Sequence, residues 1–137
     1  MAKRQSILAR SKKAEREVQA LLFPDTVFTA HAKRPALEDE DVRGLDFDGV
    51  LHWGEVKAFD HKTVHGAGGP WAVLEAAFNQ CVEAIERNPH EGQIPRSFAV
   101  LRVRGTSLES TQNLAMYMAG GLVIVPLSQF RRRITGE

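Results

Sequence analysis

Apolar residues recur along this chain with two periods, and the switches between them mark out its elements. Ala14, Val18, Leu21 and Leu22 repeat at helical spacing until Pro24, which predicts a helix over about residues 6–23. Residues 27–32 are rich in strand formers. A polar stretch over 33–44 reads as a loop. Residues 45–51 and 53–59 read as two short strands joined by a tight turn around His52, with Gly54 helping to tighten it. The stretch 60–70 holds Gly66, Gly68, Gly69 and Pro70 and reads as a loop. Trp71, Leu74, Phe78, Cys81, Val82 and Ile85 then trace the buried stripe of a second helix, stopped by Asn88-Pro89. The apolar run 97–103 predicts a central strand. A helix over 107–118 is expected to break at Gly120-Gly121, followed by a strand over 122–126 and a short basic helix.

This order predicts one α/β domain over residues 1–137, with residues 1–10 as a basic flexible arm. The early strands suit an antiparallel meander. The strand after the crossover helix should lie parallel to a neighbour, giving a mixed sheet with helices packed on it.

Composition narrows the class. An apolar share of 43% and a charged share of 26% suit a soluble globular chain. The single Cys81 excludes an internal disulfide and a cysteine-built zinc site, and fits a reducing cytoplasm. No apolar run is long enough to span a bilayer, and no apolar segment follows the basic N-terminus as a secretory signal requires, so no membrane partner is expected. The net charge of +1 hides an uneven distribution. Lys12, Lys13 and Arg16 belong to a basic N-terminal cluster, Arg131 to Arg133 crowd the other end, and residues 38–41 are an acidic block. Basic ends can meet a phosphate backbone, and they are equally well read as solvated termini.

The chemistry is concentrated in residues 44–57. Residues two apart on a strand share a face, so Glu55 and Lys57 project together while Val56 turns away. With a tight turn, Asp46 on the preceding strand would come close to Glu55. Two carboxylates, a backbone carbonyl from Val56, water and a phosphate oxygen suit Mg²⁺, with Mn²⁺ as a substitute. Lys57 would orient the attacking water or stabilise developing charge. The competing reading is an exposed cross-strand ion pair worth under about 1 kcal/mol. Asp60-His61-Lys62 repeats the acid-x-Lys spacing outside an apolar strand, and Lys62 and Thr63 are placed to contact phosphate. His31, His52, His61 and His65 match no zinc-ligand spacing. Trp71 and Phe78 read as core residues.

Three segments together resemble the PD-(D/E)xK nuclease superfamily: residues 11–18 around Ala14-Glu15-Arg16-Glu17, residues 45–50 around Asp46, and Glu55-Val56-Lys57. The likeness is closest to archaeal-type (Hjc-like) Holliday junction resolvases, including phage-encoded ones, and weaker to RecU. It implies a restriction-endonuclease-like αβββαβ core with a C-terminal helix-strand-helix addition. It implies a Mg²⁺-dependent DNA endonuclease that resolves four-way junctions by paired hydrolysis, leaving 5′-phosphates and 3′-hydroxyls. The expected partners are branched DNA and a second copy of the chain, with Leu122 to Val125 a candidate interface, and no small-molecule substrate. The expected location is the cytoplasm, that of the host if the chain is phage-encoded.

The resemblance makes Glu15, Asp46, Glu55 and Lys57 catalytic, with Glu15, Asp46, Glu55 and Val56 as metal ligands. Spacing leaves Glu17 open as the alternative to Glu15. Lys12, Lys13, Arg16, Lys62 and Thr63 are the expected DNA contacts. Asp48 supports the acids or is a solvated turn residue, and Gln80 supports them or is an exposed helical glutamine. Two departures stand out. The acidic stretch 33–44 replaces a small Ser/Gly-rich loop, and the interval from Asp46 to Glu55 is short for the group. The other functions carried alongside are a nuclease of the same core acting on restriction, repair or flap substrates, and a DNA-binding module without catalysis.

Overall fold

The computed structural model describes residues 2–25, 40–66 and 68–137, with only the backbone of residues 2–11, 65 and 66. Its elements are α1 (Ala2–Leu22), β1 (Val42–Leu45), β2 (Leu51–Phe59), α2 (His61–Gly66), α3 (Gly69–Arg87), β3 (Arg96–Val103), β4 (Leu114–Met118), β5 (Leu122–Pro126) and α4 (Leu127–Thr135). The strands form one sheet in the order β1-β2-β3-β4-β5. β2 and β3 run parallel, joined through α3, and the remaining neighbours are antiparallel. This is an α/β protein with a five-stranded mixed sheet packed against helices, and β3 is its central strand, as its apolar run predicts. None of the described helices is long and apolar enough to cross a membrane.

Alternation along the strands sends successive side chains to two different helical layers. On one face, Ala14, Val18 and Leu22 of α1 and Phe130 and Ile134 of α4 pack on Val56, Phe98, Val100 and Ala115. On the other, Leu74, Ala77 and Phe78 of α3 pack on Ala99, Leu101 and Met116, and Cys81 and Ile85 pack on Trp53. Glu55 and Lys57 share the parity of Trp53 and therefore belong to the α3 face. Trp71, expected in the buried stripe, is half exposed near the start of α3.

Several expectations are corrected. α1 begins at Ala2, so most of the expected arm is helical. The expected strand over 27–32 lies outside the described residues. α2 occupies part of the expected loop over 60–70. The expected helix over 107–118 is instead a turn-rich segment followed by β4. The reason lies in the side chains of residues 104–113, which compete for backbone partners. Asn113, fully buried, accepts from the Val103 N–H at 2.8 Å and donates to the Ser107 carbonyl at 2.8 Å, which pulls the segment into a closed loop. The C-terminal addition is therefore strand-strand-helix. Gly120, at φ 77°, turns β4 into β5 where a helix break was expected.

Gln19 ties α1 to the sheet. Its carboxamide accepts from the Arg43 N–H at 3.0 Å and donates to the Arg43 carbonyl at 2.8 Å. These are the groups β1 turns away from β2, so one buried side chain satisfies that stretch of strand edge.

Candidate active site

The geometry of the β1–β2 hairpin decides which acids can meet. Val42 pairs with Gly54, Gly44 with His52 and Leu45 with Leu51. The turn is made by residues 46–50. The Asp46 N–H donates to the Val50 carbonyl at 2.9 Å, and the Gly49 N–H donates to the Asp46 carbonyl at 2.9 Å. Gly49 takes φ 80°, a conformation glycine adopts without strain. The turn is thus centred on Asp48, and His52 lies inside β2.

Asp46 consequently sits at the closed end of the hairpin. Its Oδ1 accepts from the Asp48 N–H at 2.8 Å and the Val50 N–H at 3.0 Å. Its Oδ2 lies 2.9 Å from His52 Nε2, which must carry the proton because a carboxylate only accepts. From Val50, opposite Asp46, to Glu55 is five residues of strand, about 16 Å. Asp46 and Glu55 cannot hold one ion, and the expectation that they do is corrected. Asp48 is exposed in the same turn and supports the solvated-turn reading.

The carboxylate that does reach the Glu55-Val56 stretch of backbone is Asp41, at the far end of β1. Its N–H donates at 3.0 Å to the Gly54 carbonyl, although Gly54 already faces Val42. Its Oδ2 accepts from the Val56 N–H at 2.8 Å. A side-chain carboxylate therefore occupies the ladder position that backbone would fill if β1 continued, on the Val56 N–H. By the parity of the hairpin, the Val56 carbonyl points to this same vacated edge. Glu55 is 6% exposed and Lys57 is half-buried, both from the α3 side. Lys57 forms no ion pair with any described residue. Glu40, fully buried, precedes Asp41 and lies 3.5 Å from Arg43 Nε.

Cys81 on α3 senses this charge. Burial first, with the carboxylates of Glu55 and Glu40 adding to it and hydrogen bonding to Ser97 opposing, pushes its thiol up to about 12. The protonated thiol donates to the Trp53 carbonyl at 3.1 Å.

Packing sets Glu15 and Glu17 in different surroundings. Phe23 lies against Gly44, and Gln19 bonds Arg43, so α1 runs alongside β1 in the same direction. One helical turn before Gln19 brings Glu15, half-buried, to the level of Asp41, since a turn rises about 5.4 Å and two strand residues span about 6.6 Å. Glu17 turns to the opposite flank, where its Oε2 lies 3.4 Å from Arg102. Lys12, Lys13 and Arg16 are exposed on α1, Lys62 and Thr63 are exposed on α2, and Gln80 is exposed on α3. The Thr63 N–H donates at 2.7 Å to Asp60, whose carboxylate caps α2 and whose pKa is lowered first by the Thr63 side chain and then by this N–H.

Among the described residues no three acidic, histidine or cysteine side chains converge as a metal-holding group. A divalent cation at the end of β1 would take Asp41, Glu55, the Val56 carbonyl and water. That oxygen-only set fits Mg²⁺, which retains several waters.

The hairpin turn has its own titration. Burial opposes ionisation of Asp46, but the His52 contact and the Val50 and Asp48 N–H donors outweigh it and lower its pKa from 3.8. Burial lowers His52 from 6.5, with Arg96 and Arg133 in the same direction and Asp46 against. Because folding disfavours protonated His52, its contribution is complete above 6.5 and declines as the pH falls toward its lowered value. The contribution of Asp46 follows below 3.8. The urea midpoint should be flat near neutral pH and fall as the pH drops below 6.5, and His52→Gln should remove that first decline. An unchanged slope in the variant would assign the decline to other groups.

Compared with models of known families, with curated proteins and with solved structures, the chain matches none.

Proposed function

We propose that the chain is a Mg²⁺-dependent DNA endonuclease of the PD-(D/E)xK type, with a four-way junction as its preferred substrate and a cytoplasmic place of action. The observation that carries this is the Asp41 carboxylate bonded to the Val56 N–H, the backbone group between Glu55 and Lys57. The resemblance in sequence places the same Glu-Val-Lys at a metal-dependent hydrolytic site, and Asp41 supplies the acid that Asp46 does not. The element order supports the reading too: after α1 come an antiparallel hairpin, a crossover helix and a strand parallel to β2, as a restriction-endonuclease-like core has after its first strand.

Bound Mg²⁺ would supply an acidified water and neutralisation of charge at phosphorus. The chain's own groups do the rest. Asp41 is oriented by the Val56 N–H, which fixes one oxygen and leaves the other for the cation. Glu55 is held in an apolar strand, where water competes poorly for its charge. Lys57, on the same face two residues further on, would orient the attacking water and stabilise charge on the phosphate oxygens. Glu15 approaches from α1 at the level of Asp41 and would complete the acidic set or receive a proton through water. Lys12, Arg16, Lys62 and Thr63 offer exposed donors for the DNA backbone.

The test incubates the purified protein with end-labelled four-way junction, linear duplex, flap and single-stranded DNA of equal length, with Mg²⁺, Mn²⁺ or EDTA. Metal-dependent paired nicks in the junction, made by a dimeric species on sizing, are expected. Preference for another substrate would keep the nuclease and replace the junction. Cleavage indifferent to EDTA, or salt-dependent binding with no product on any substrate, would overturn the catalytic reading.

A further inference from the structure

A cavity of about 420 Å³ lies where β2 and β3 end, on a different part of the molecule from the acid pair, and Lys13, Glu17, Asp60, Arg102 and Arg104 line it. Arg102 is the unusual member. It stands on β3 opposite Ala58 and is only 7% exposed. Its Nη1 donates to the Val103 carbonyl at 2.9 Å, to Thr106 Oγ1 at 3.1 Å and to Asn113 Oδ1 at 3.1 Å. Its acidic contact is Glu17, long at 3.4 Å. Its Nε is buried with no hydrogen-bond partner. The Asn113 loop thus holds a guanidinium rigidly while leaving one donor unused and its charge weakly balanced. A buried charge in that condition is costly unless an anion completes it. Arg104, half-buried, and Lys13, exposed, add two cations at the same cavity, against the acids Glu17 and Asp60.

We infer that this cavity is an oxyanion subsite that seats one backbone phosphate of the bound DNA strand, away from the phosphate that is cleaved. From Glu55 to Asp60 along β2 is five residues, about 16 Å, a span of a few nucleotides. A guanidinium donating through several N–H groups suits a phosphate, which has oxygens to accept in more than one direction. The inference rests on the nuclease reading for its ligand, while the anion chemistry stands on the cavity itself.

The experiment uses the full chain and the variants Arg104→Ala and Lys13→Ala, which leave the Asn113 network intact, with Arg102→Lys as a third. Binding of fluorescent junction DNA is measured in EDTA across a salt series, and melting temperature is measured with and without inorganic phosphate. Each lost charge should weaken DNA binding roughly threefold at moderate salt and lower the slope of log affinity against log salt by about one. Inorganic phosphate should stabilise the parent protein more than Arg104→Ala. Arg102→Lys should fold and lose most of the phosphate effect. If the parent cleaves DNA but the Arg104→Ala and Lys13→Ala affinities and slopes are unchanged, the subsite is overturned and the nuclease stands. If phosphate stabilises the parent and DNA neither binds nor is cut, the DNA strand is wrong as ligand, and the nuclease reading falls by its own assay.

Discussion

Asp41→Asn should reduce Mg²⁺-dependent cleavage by about a thousandfold or more, because a metal-holding charge is worth several kcal/mol at a phosphoryl centre. Asp46→Asn should leave cleavage within about tenfold of the parent, as expected of a residue outside the reacting groups. The contrast follows from register. Asp41 bonds the N–H next to Glu55, whereas Asp46 spends one oxygen inside its own turn and the other on His52. The asparagine at 41 keeps an oxygen for the Val56 N–H, so the strand end should survive and the loss should be chemical rather than structural. Initial rates on labelled junction DNA, with circular dichroism and urea midpoints as controls for folding, decide the matter. If Asp46→Asn is dead while folded and Asp41→Asn is active, the proposed acid pair is wrong and the hairpin must re-register on binding DNA.

Phe98→Ala should destabilise the fold by about 3–5 kcal/mol, the usual cost of emptying an aromatic site in a core. Phe98 is fully buried on β3 and its ring meets Phe23 at 6.2 Å, His52 at 6.4 Å and Phe130 at 5.2 Å between centroids. One side chain thereby joins α1, the hairpin strand and α4. The space it fills exists because residue 54 has no side chain. A Cβ on Gly54 would lie 2.2 Å from the Phe98 ring. Gly54→Ala should therefore cost about 1–3 kcal/mol by overpacking. Phe98→Leu should recover part of that loss in the double variant, since contacting residues are not additive. Equilibrium urea unfolding measures all three. A Phe98→Ala midpoint close to the parent's would mean that α1, the hairpin strand and α4 are not held together through this ring.

Gly54 shows how local reading went astray. Beside Trp53 and His52 it suggested a turn. The stronger turn signal was Asp48-Gly49, a pair suited to a hairpin tip. Counting outward from that dipeptide sets residue 41 against residue 56, next to Glu55, so Asp41 was within reach of the sequence. It was lost because four acidic residues in succession look like a solvated loop. The segment 107–118 failed differently. Leu114, Ala115 and Met116 allow a helix, and the preference for a strand comes from Asn113, whose five polar contacts exist only once Val103 and the loop are in place. The α1 and α3 stripes were legible because helical spacing of apolar residues needs no partner to be recognised.

The sequence by itself determined the helices that carry the apolar stripes, the central strand at residues 97–103, its parallel neighbour and the face shared by Glu55 and Lys57. These follow from periodicity and chain connectivity, which are local properties. Tertiary structure alone decided that Glu17 reaches Arg102, and that the strand edge ends in a carboxylate. Those outcomes depend on which way α1 lies along β1 and where the hairpin turns. Both are set by contacts between residues distant in the chain, Gln19 with Arg43 and Phe23 with Gly44, whose geometry no spacing of letters encodes.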